Sequence, residues 1–582
     1  MKVLFISTLC FLFSISTIIC QSDGLSFDEG SLMSSNYTPT YEEMVSFYKK
    51  YADEHPEIAL YNMGQSDYGK PIYLCVLNAE KDSLTTFNKS KKNTSLLINN
   101  GIHPGEPTGI NACMQLVIEY AKAPKEAKKS FPVTAIIPSY NIGGMINRNG
   151  FSRANQDGPE EYGFRGNTKN LDLNRDFIKM DSDNTKVFKI IFHAIDPEIF
   201  IDTHTTNGAD YQYVMTYIVP LYDRMPKPTR DLLYDKMLPY MEKYMPQKWN
   251  FDISPYVVTK KTVPDSGLIA FDATPRYAMG YADLFNSISF TTETHMLKPF
   301  EERVRSTYSF ILESIAFATS NSDEIYTTRK KAFKSQQEQE EFKAHFVADT
   351  SYSDSILFKG YEHSYKESKI TEQERLFYDR NQPFEKFIPY QLRFKNTKSV
   401  KAPKYYILGG QEKAIIERLK LNKINFNRIE NDSLILKAKQ IKITAFSSLK
   451  TPYEGHFYHD KVETEELLID TLKVKPGDIL IPVNQKNKLF IVSVLDPIME
   501  DSYFRWNFFD SYLMQKEYFS PYVFEDFAEE FLENNPKIEA EFREKQKNDS
   551  EFSGSRWQQM YWIYKRSPYF ERSYMKLPLW KV

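Results

Sequence analysis

Apolar and polar positions in the first half of the chain follow two alternating patterns, one with the period of a helix and one typical of buried strands. Residues 41–54 carry apolar side chains at helical spacing, and Thr40 directly before them is a suitable N-cap. Helical patterns recur at about 108–123, 185–195 and 299–320. The strand patterns are IALYNMGQ, KPIYLCVLNA, SLLINN, VTAIIPSY, EIFIDTH and SISFTTE. This alternation predicts an α/β domain with a mixed, mostly parallel central sheet flanked by helices.

The pattern changes near residue 321. Residues 321–376 begin with a charge-dense stretch that has little apolar face and that is typical of a solvated helix or a linker, and we expect 321–376 to form a linker. Beyond residue 377, strand patterns return in KYYILGG, INFNRIE, SLILKAKQIKITAF, GDILIPVN and LFIVSVLD, and EKAIIERLKLNK has a helical pattern. An aromatic-rich helical tail follows from Trp506. The chain is therefore predicted to contain an α/β domain over 37–320 and an additional α+β domain over 377–582.

The N-terminus has the pattern of an export signal. Residues 1–20 contain a single Lys2 and then an apolar run from Val3 to Ile19, with no stop-transfer segment behind it. We expect this signal peptide to be removed, the protein to be periplasmic or extracellular, and no membrane span to remain. A retained N-terminal anchor is the alternative. A lipid anchor on Cys20 is a further option, although the residues before that cysteine lack the small side chain that such a site requires.

Composition excludes several broad classes. Of the 582 residues, 41% are hydrophobic and 26% are charged, which is typical of a globular protein rather than a fibrous or disordered one. Lys and Arg number 74 against 77 Asp and Glu, and this balance disfavours a dedicated nucleic-acid binder. After the signal only Cys75 and Cys113 remain, so we expect two inert buried thiols and neither a disulfide framework nor a thiolate metal site.

Two histidines and a glutamate accompany predicted buried strands. His103 and Glu106 stand three positions apart in NNGIHPGEPTG, after a strand and before a helix, and His204 ends the strand pattern EIFIDTH. In an open α/β sheet, ligands collect beyond the carboxyl ends of the strands. Imidazole nitrogens and carboxylate oxygens are zinc ligands, and a set of two histidines and one glutamate leaves a fourth position for water. Each part alone also fits a surface turn, so the hypothesis depends on all three together.

Two further motifs contribute groups that bind carboxylates or move protons. NLDLNRDF contains Asn174 and Arg175; the arginine fork binds a carboxylate through two parallel hydrogen bonds, and the asparagine adds a neutral donor. A structural salt bridge is the alternative interpretation of this pair. SISFTTETH places Glu293 just past a strand, where a carboxylate near a zinc-bound water can accept its proton and later pass it to a leaving amine.

In this order the four motifs resemble the zinc carboxypeptidase family of the carboxypeptidase A type, over about residues 41–320. The resemblance is to an exported bacterial member with a C-terminal accessory region. It implies one zinc ion, held by His103, Glu106 and His204. It also implies a peptide substrate whose free C-terminal carboxylate is bound by Asn174 and Arg175.

The resemblance assigns three further roles. Asp172 would be the partner that orients His103, and Glu293 would activate the zinc-bound water. Arg153 in GFSRANQDG would stabilise the developing oxyanion, with Arg148 as a competing candidate. The implied activity is hydrolysis of the C-terminal peptide bond of peptides.

Several positions depart from the family pattern and weaken the prediction of substrate preference. The family's Asn-Pro-Asp-Gly turn appears as residues 141–144, Asn-Ile-Gly-Gly, and Gly105 stands where the digestive enzymes carry an arginine. The position that corresponds to the family's mobile substrate tyrosine is Phe271, and Tyr277 and Tyr281 are the nearest tyrosines.

Two other functions remain open at this point. A zinc amidohydrolase that acts on N-acyl amino acids or cell-wall peptides would use the same zinc ligands and the same carboxylate-binding pair. A non-catalytic binding protein on the same fold is the contrasting class, and the presence of Glu293 beside all three ligands argues against it.

Overall fold

A computed structural model describes residues 26–27, 30–79, 94–352 and 354–582. The predicted signal peptide at 1–20, with Cys20, lies outside these residues. Within them no helix has both the length and the apolar character that crossing a bilayer requires.

The secondary structure is given in chain order. The helices are α1 (Tyr41–Glu54), α2 (Thr108–Lys122), α3 (Lys125–Ser130), α4 (Ile142–Ile146), α5 (Asp183–Ile195), α6 (Lys227–Leu232), α7 (Leu238–Trp249), α8 (Ala278–Asp283), α9 (Phe300–Ser320), α10 (Ser322–Glu338), α11 (Lys413–Leu421), α12 (Lys488–Leu495), α13 (Pro521–Glu533), α14 (Pro536–Asn548), α15 (Ser550–Ser553) and α16 (Arg556–Tyr564). The strands are β1 (Ser26–Phe27), β2 (Gly30–Ser31), β3 (Ile58–Gln65), β4 (Pro71–Leu77), β5 (Ser95–Asn99), β6 (Val133–Ile137), β7 (Ile199–Thr206), β8 (Met215–Ile218), β9 (Ile253–Pro255), β10 (Leu268–Ile269), β11 (Ile288–His295), β12 (Glu341–Ala348), β13 (Asp354–Glu367), β14 (Glu374–Gln391), β15 (Phe394–Lys401), β16 (Tyr405–Leu408), β17 (Asn427–Arg428), β18 (Ser433–Ser448), β19 (His459–Val474), β20 (Ile479–Pro482) and β21 (Lys576–Lys581).

An eight-stranded sheet organises the first half, with strand order β3-β4-β6-β5-β7-β11-β8-β9. Its four neighbouring strands β6, β5, β7 and β11 run parallel. On either side of them, β4 and β8 pair antiparallel with β6 and β11. The prediction of an α/β fold with a mixed, mostly parallel sheet is confirmed, and the parallel strands bring their carboxyl ends to one edge.

Helices α1 and α2 begin at the predicted residues, whereas the first α-helix of the predicted tail begins at Pro521 rather than at Trp506. Thr40 caps α1 in a capping box: its side chain accepts a hydrogen bond from the amide of Glu43, and the Glu43 side chain accepts one from the Thr40 amide. Helix α2 is almost wholly buried and packs against α9. Cys75 and Cys113 are buried free thiols, as predicted.

The segment 321–376, expected to be a linker, has regular structure. It contains helix α10, the strands β12 and β13 and the first residues of β14. Ile325, Ala332 and Phe333 are buried along one side of α10, a stripe that is narrow because most of the helix is polar. The boundaries 37–320 and 377–582 therefore remain a proposal about domains rather than a visible division.

The second half is built on a six-stranded sheet with order β17-β20-β16-β21-β18-β19. One predicted strand is wrong: the segment LFIVSVLD forms helix α12 rather than a strand. Seven of its eight residues are buried, so its short apolar run shows neither the alternation of a strand nor the stripe of a helix. The helical tail α13–α16 has a small aromatic core of its own, and the chain then enters the sheet as β21.

The two halves share one hydrophobic core. Tyr406, Phe490 and Trp506 of the second half belong to the same contiguous cluster as Phe200 and Phe290 of the central sheet. The second half is thus packed onto the first rather than tethered to it.

Candidate active site

Three buried side chains converge at the carboxyl edge of the parallel strands. His103 and Glu106 lie in the turn between β5 and α2, and His204 lies in β7. One ligand atom from each lies within 4.8 Å of the other two. Among the described residues this is the sole cluster of three or more histidine, cysteine, aspartate or glutamate side chains with such geometry.

Both imidazoles are oriented by a carboxylate on their far side. His103 Nε2 is 2.8 Å from Asp172 Oδ1, and His204 Nε2 is 2.7 Å from Asp202 Oδ2. Their Nδ1 atoms therefore face inward, 3.4 Å and 3.0 Å from Oε2 of Glu106. A carboxylate hydrogen-bonded to the outer nitrogen fixes the tautomer of a ligating histidine.

The donor set fits a zinc ion. His103 Nδ1 is buried and has no hydrogen-bond partner among the described residues, a costly state for a polar atom. Two inward imidazole nitrogens and one carboxylate are the ligands of a catalytic zinc site, and they leave a coordination position open. A divalent cation bound between them would give that nitrogen its missing partner.

Asp172 was predicted to orient His103, but Asp202 was missed. Asp202 and His204 are two residues apart in β7, and alternate residues of a strand lie on the same face. The spacing Asp-Thr-His in a buried strand was therefore the signal that could have identified it.

Charge at the centre is balanced by two arginines. Arg153 donates from Nη1 to Glu106 Oε1 at 2.7 Å, and Arg165 Nη1 lies 3.5 Å from the same oxygen. Burial opposes ionisation of Glu106, but Arg153 and His103 hold the pKa of its carboxyl well below the usual range. Burial likewise opposes ionisation of Asp172, and the neighbouring His103 still keeps its pKa well below the usual range.

Glu293 completes the centre from the neighbouring strand. It stands in β11, opposite His204 in the parallel register. Burial raises the pKa of its carboxyl to about 8, and the charge of Glu106 adds to this effect. A carboxylate whose pKa lies near neutrality is suited to exchange protons at neutral pH.

These residues surround one cavity of about 520 Å³. Its polar lining comprises His103, Glu106, Arg153, Arg165, Asn174, Arg175, His204 and Glu293. Its apolar lining includes Ile218, Phe271 and Ala273, with Tyr256 and Tyr277 beside them. Every residue that the sequence assigned to the metal, catalytic and substrate sites thus lines the same cavity.

Asn174 and Arg175 are held with donors left over. They lie in the 3-10 turn Leu173–Arg175, where Asp172 Oδ1 accepts from the Asn174 amide at 2.9 Å. Asn174 Oδ1 accepts from the amide of Ala278 at 3.0 Å, which fixes the side-chain amide and leaves its nitrogen as a donor. The Arg175 guanidinium lies 4.4 Å from the ring centre of Tyr277.

The structure distinguishes the remaining candidate arginines and tyrosines by whether they line the cavity. Arg148 donates to the backbone oxygens of residues 38, 39 and 161 and is absent from the cavity lining. Tyr277 lines the cavity, whereas Tyr281 is buried in the core and hydrogen-bonded to Asn422. Arg165 was not predicted, because three arginines stand close together in this part of the sequence and no pattern distinguishes them.

The glycine at position 105 has a steric explanation. A Cβ added to Gly105 would lie 2.9 Å from Arg153 Cδ and 2.9 Å from the carbonyl oxygen of Gly163. No side chain fits between these groups, so the arginine of the digestive enzymes has no equivalent here.

Comparisons with known proteins agree with this geometry. A family model described as zinc carboxypeptidase matches residues 44–198. The chain is 24% identical over 492 residues to Carboxypeptidase 2 of Trichophyton rubrum, covering 80% of this chain and 83% of that protein. Carboxypeptidase 2 of Trichophyton tonsurans is 23% identical over 463 residues, which cover 75% of this chain and 78% of that protein.

One solved structure to which the chain is similar is a metallo-carboxypeptidase from Burkholderia cenocepacia, with a TM-score of 0.37 and 16% identity. That match covers 49% of this chain and 70% of the other. The matches to the two Trichophyton proteins are longer and extend into the second half, because residues 1–320 are little more than half of the chain.

Proposed function

We propose that this chain, whose residues 44–198 match the zinc carboxypeptidase family model, is an exported metallocarboxypeptidase that removes the C-terminal residue of peptides. The observation that carries this proposal is the meeting of three zinc-type ligands, Glu293 and an Asn-Arg pair in one cavity. The export signal at 1–20 supports a periplasmic or extracellular location.

One zinc ion fits the ligands His103, Glu106 and His204. When bound, zinc polarises the scissile carbonyl and makes a water molecule more acidic. Asp172 and Asp202 hold the two imidazoles with their inner nitrogens toward Glu106.

The substrate carboxylate is bound by Asn174 and Arg175. Both side chains line the cavity, and each retains a donor after its bonds within the protein. An arginine fork and an amide nitrogen together select a free carboxylate over an amide, because an amide nitrogen cannot accept their hydrogen bonds.

The side chain of the C-terminal residue enters the apolar part of the cavity. Ile218 and Ala273 are buried there, and Phe271, Tyr256 and Tyr277 pack against them. Apolar and aromatic C-terminal residues are therefore preferred, since a lysine or arginine side chain would lose hydration without gaining a carboxylate partner.

Glu293 moves the proton. Its carboxylate takes a proton from the attacking water as the water oxygen bonds to the scissile carbonyl carbon. It then gives that proton to the amine nitrogen as the carbon–nitrogen bond breaks. The carbonyl oxygen gains negative charge in this step, and an arginine directed at it lowers the barrier.

Two arginines compete for that oxyanion role. Arg153 was predicted, but its three nitrogens already donate to Gln156, Glu106 and the Thr205 carbonyl. Arg165 also lines the cavity; its side chain is 46% exposed, and it donates mainly to Asp172. Arg165 therefore has more freedom to meet a developing charge, while Arg153 fixes Glu106.

A peptide panel tests the proposal and its alternatives. The zinc-loaded protein is incubated with peptides that have free or amidated C-termini, with N-acyl amino acids and with cell-wall peptides, each with and without chelator. Release of single C-terminal residues from the free peptides alone supports a carboxypeptidase. Faster cleavage of N-acyl amino acids supports an amidohydrolase, and stoichiometric zinc without turnover on any substrate supports a binding protein.

A further inference from the structure

We propose that the β18–β19 loop (residues 449–458) of the second half positions the carboxylate-binding groups of the active site. The inference rests on the proposed function and assigns to the second half a part in substrate recognition. Its two positioning residues are Tyr453 and Glu454, which are absent from the cavity lining and act through Arg175 and Asp172.

The middle of the loop is a tight turn with two residues, Glu454 and Gly455, at its tip. Tyr453 and His456 exchange two backbone hydrogen bonds, of 2.8 and 3.1 Å. The residues between them, Glu454 and Gly455, have φ values of +49° and +83°. Two consecutive positive φ values define the compact hairpin turn that presents its side chains in fixed directions.

The turn contacts the substrate-binding segment directly. Glu454 Oε2 accepts from the amide of Asp172 at 2.7 Å, and Tyr453 OH accepts from Arg175 Nε at 2.9 Å. Asp172 in turn accepts from His103 and from the amide of Asn174. A single segment of the second half thus supports the groups that bind the substrate and one that orients a zinc ligand.

The turn is itself firmly anchored. The Tyr453 ring stacks on Trp506, with centroids 6.0 Å apart and planes inclined by 17°, and Trp506 is fully buried. His456 Nε2 lies 2.7 Å from Asp181 Oδ2, which belongs to the first half. The Arg276 guanidinium, which is paired with Asp501 at 2.7 Å, lies 5.6 Å from the centre of the Tyr453 ring. Contacts with residues of both halves therefore hold the turn in place.

The remaining donors of Arg175 explain why its hydrogen bond to Tyr453 matters for substrate binding. Its Nε donates to the Tyr453 hydroxyl, and its Nη1 donates to the carbonyl of Asn174. Its Nη2 has no hydrogen bond to another described residue, so it is the part left for a substrate carboxylate. Without the Tyr453 hydroxyl the guanidinium could rotate about its last bonds, and a misplaced fork binds a carboxylate less well.

The variant Tyr453→Phe isolates this effect, because it keeps the ring stack on Trp506 and removes only the hydroxyl. In the full zinc-loaded chain we expect its KM for a peptide with a free C-terminus to rise about tenfold, or about 1.4 kcal/mol. We expect kcat and the unfolding temperature to stay nearly unchanged. Lys450→Ala, an exposed change in the same loop, is the matched control and should leave KM unchanged.

Glu454 is tested by loss and rescue. Glu454→Ala removes the acceptor for the Asp172 amide and should raise KM, whereas Glu454→Gln retains an acceptor oxygen and should restore most of the affinity. If both variants lower the unfolding temperature and kcat together without a specific change in KM, the turn has only a structural role and the inference fails.

Equilibrium binding separates this inference from the proposed function. Titration calorimetry with N-acetyl-L-phenylalanine should show about tenfold weaker binding to Tyr453→Phe than to the wild type. Its amide should bind both proteins equally. Equal affinities for the free acid, or no binding by the wild type, overturn the inference whether or not turnover is seen. Absence of turnover by the wild type instead refutes the proposed function.

Discussion

Glu293 lies directly opposite His204 in the parallel register of strands β11 and β7. Directly opposed residues of adjacent parallel strands present their side chains on the same face of the sheet, so hydrogen bonds between the strands set the relation of the two groups. The proposed proton-transferring carboxylate and one proposed zinc ligand are therefore placed by the central parallel strands of the sheet.

Glu293→Gln should abolish turnover while zinc stays bound. Glutamine has nearly the same shape but cannot accept a proton, so we expect kcat to fall by about 10²–10⁴-fold. Zinc content, measured by elemental analysis after gel filtration, should remain one ion per chain. Turnover at the wild-type rate would remove Glu293 from the mechanism, and loss of zinc would show that it serves the metal.

Asp202→Asn should weaken zinc binding by about 10–100-fold, because His204 loses the carboxylate that orients it. Asp172→Asn should have a similar effect through His103. Affinity is measured by competition with a coloured chelator. Asp183→Asn, at an exposed carboxylate outside the centre, is the control and should bind zinc like the wild type. Unchanged affinity in Asp202→Asn would show that the outer carboxylate does not tune the ligand.

The apolar lining predicts selectivity for the released residue. The kcat/KM for a peptide ending in phenylalanine should exceed that for one ending in lysine by at least about tenfold, or about 1.4 kcal/mol. Ala273→Asp places a carboxylate in this part of the cavity and should shift the preference toward lysine. Ala273→Asn has a similar size without the charge and should not. If both variants had the same preference between lysine and phenylalanine, the side chain of the released residue would not lie in this part of the cavity.

The ion pair between the two halves predicts a pH window of stability. Burial opposes the charge of His456, but its hydrogen bond to Asp181 raises the pKa of the imidazole. Burial opposes the charge of Asp181 as well, and His456 and Lys179 still lower its pKa to about 2. The stability gained from charged His456 is complete at a pH below the ordinary histidine pKa of about 6.5, and it is lost as the pH rises through the raised pKa. The stability gained from charged Asp181 is complete at a pH above the ordinary aspartate pKa of about 3.9, and it is lost as the pH falls toward 2.

His456→Gln should therefore destabilise the protein most between about pH 4 and 6.5, by about 1 kcal/mol. The free energy of unfolding by urea, measured at several pH values, checks this. His345→Gln, at a histidine whose ring bonds to the hydroxyl of Thr397 rather than to a carboxylate, is the control and should have a smaller effect. A difference between wild type and His456→Gln that is constant from pH 4 to 9 would contradict the predicted linkage.

Phe490→Ala tests the shared core. Phe490 is 1% exposed and contacts the rings of Tyr281 and Phe285 from the first half. Removing it should cost about 3–5 kcal/mol. If the halves are one cooperative unit, chemical denaturation followed by near-ultraviolet dichroism and by loss of zinc should show coincident transitions. An unfolding of the second half alone, with zinc retained, would show that the halves are energetically separate.

The sequence predicted the α/β class and the location of the site for clear physical reasons. Parallel buried strands read as apolar runs, and their carboxyl ends meet at one edge, so His103, Glu106 and His204 could be brought together without coordinates. The features that could not be predicted are those set by tertiary packing. Helix α12 is buried on all sides, so its apolar residues show no helical periodicity. The contacts of Tyr453 and Glu454 join residues 278 and 282 positions apart, and no local pattern predicts them.

The position of strand β21 has a consequence for biosynthesis. It lies inside the six-stranded sheet, bonded to β16 on one side and to β18 on the other. Those two neighbours are translated more than a hundred residues earlier and must wait with open edges until Lys581 has left the ribosome. The half of the molecule that steadies Arg175 can therefore reach its native shape only after translation of that strand, and the nascent chain needs shielding from aggregation until then.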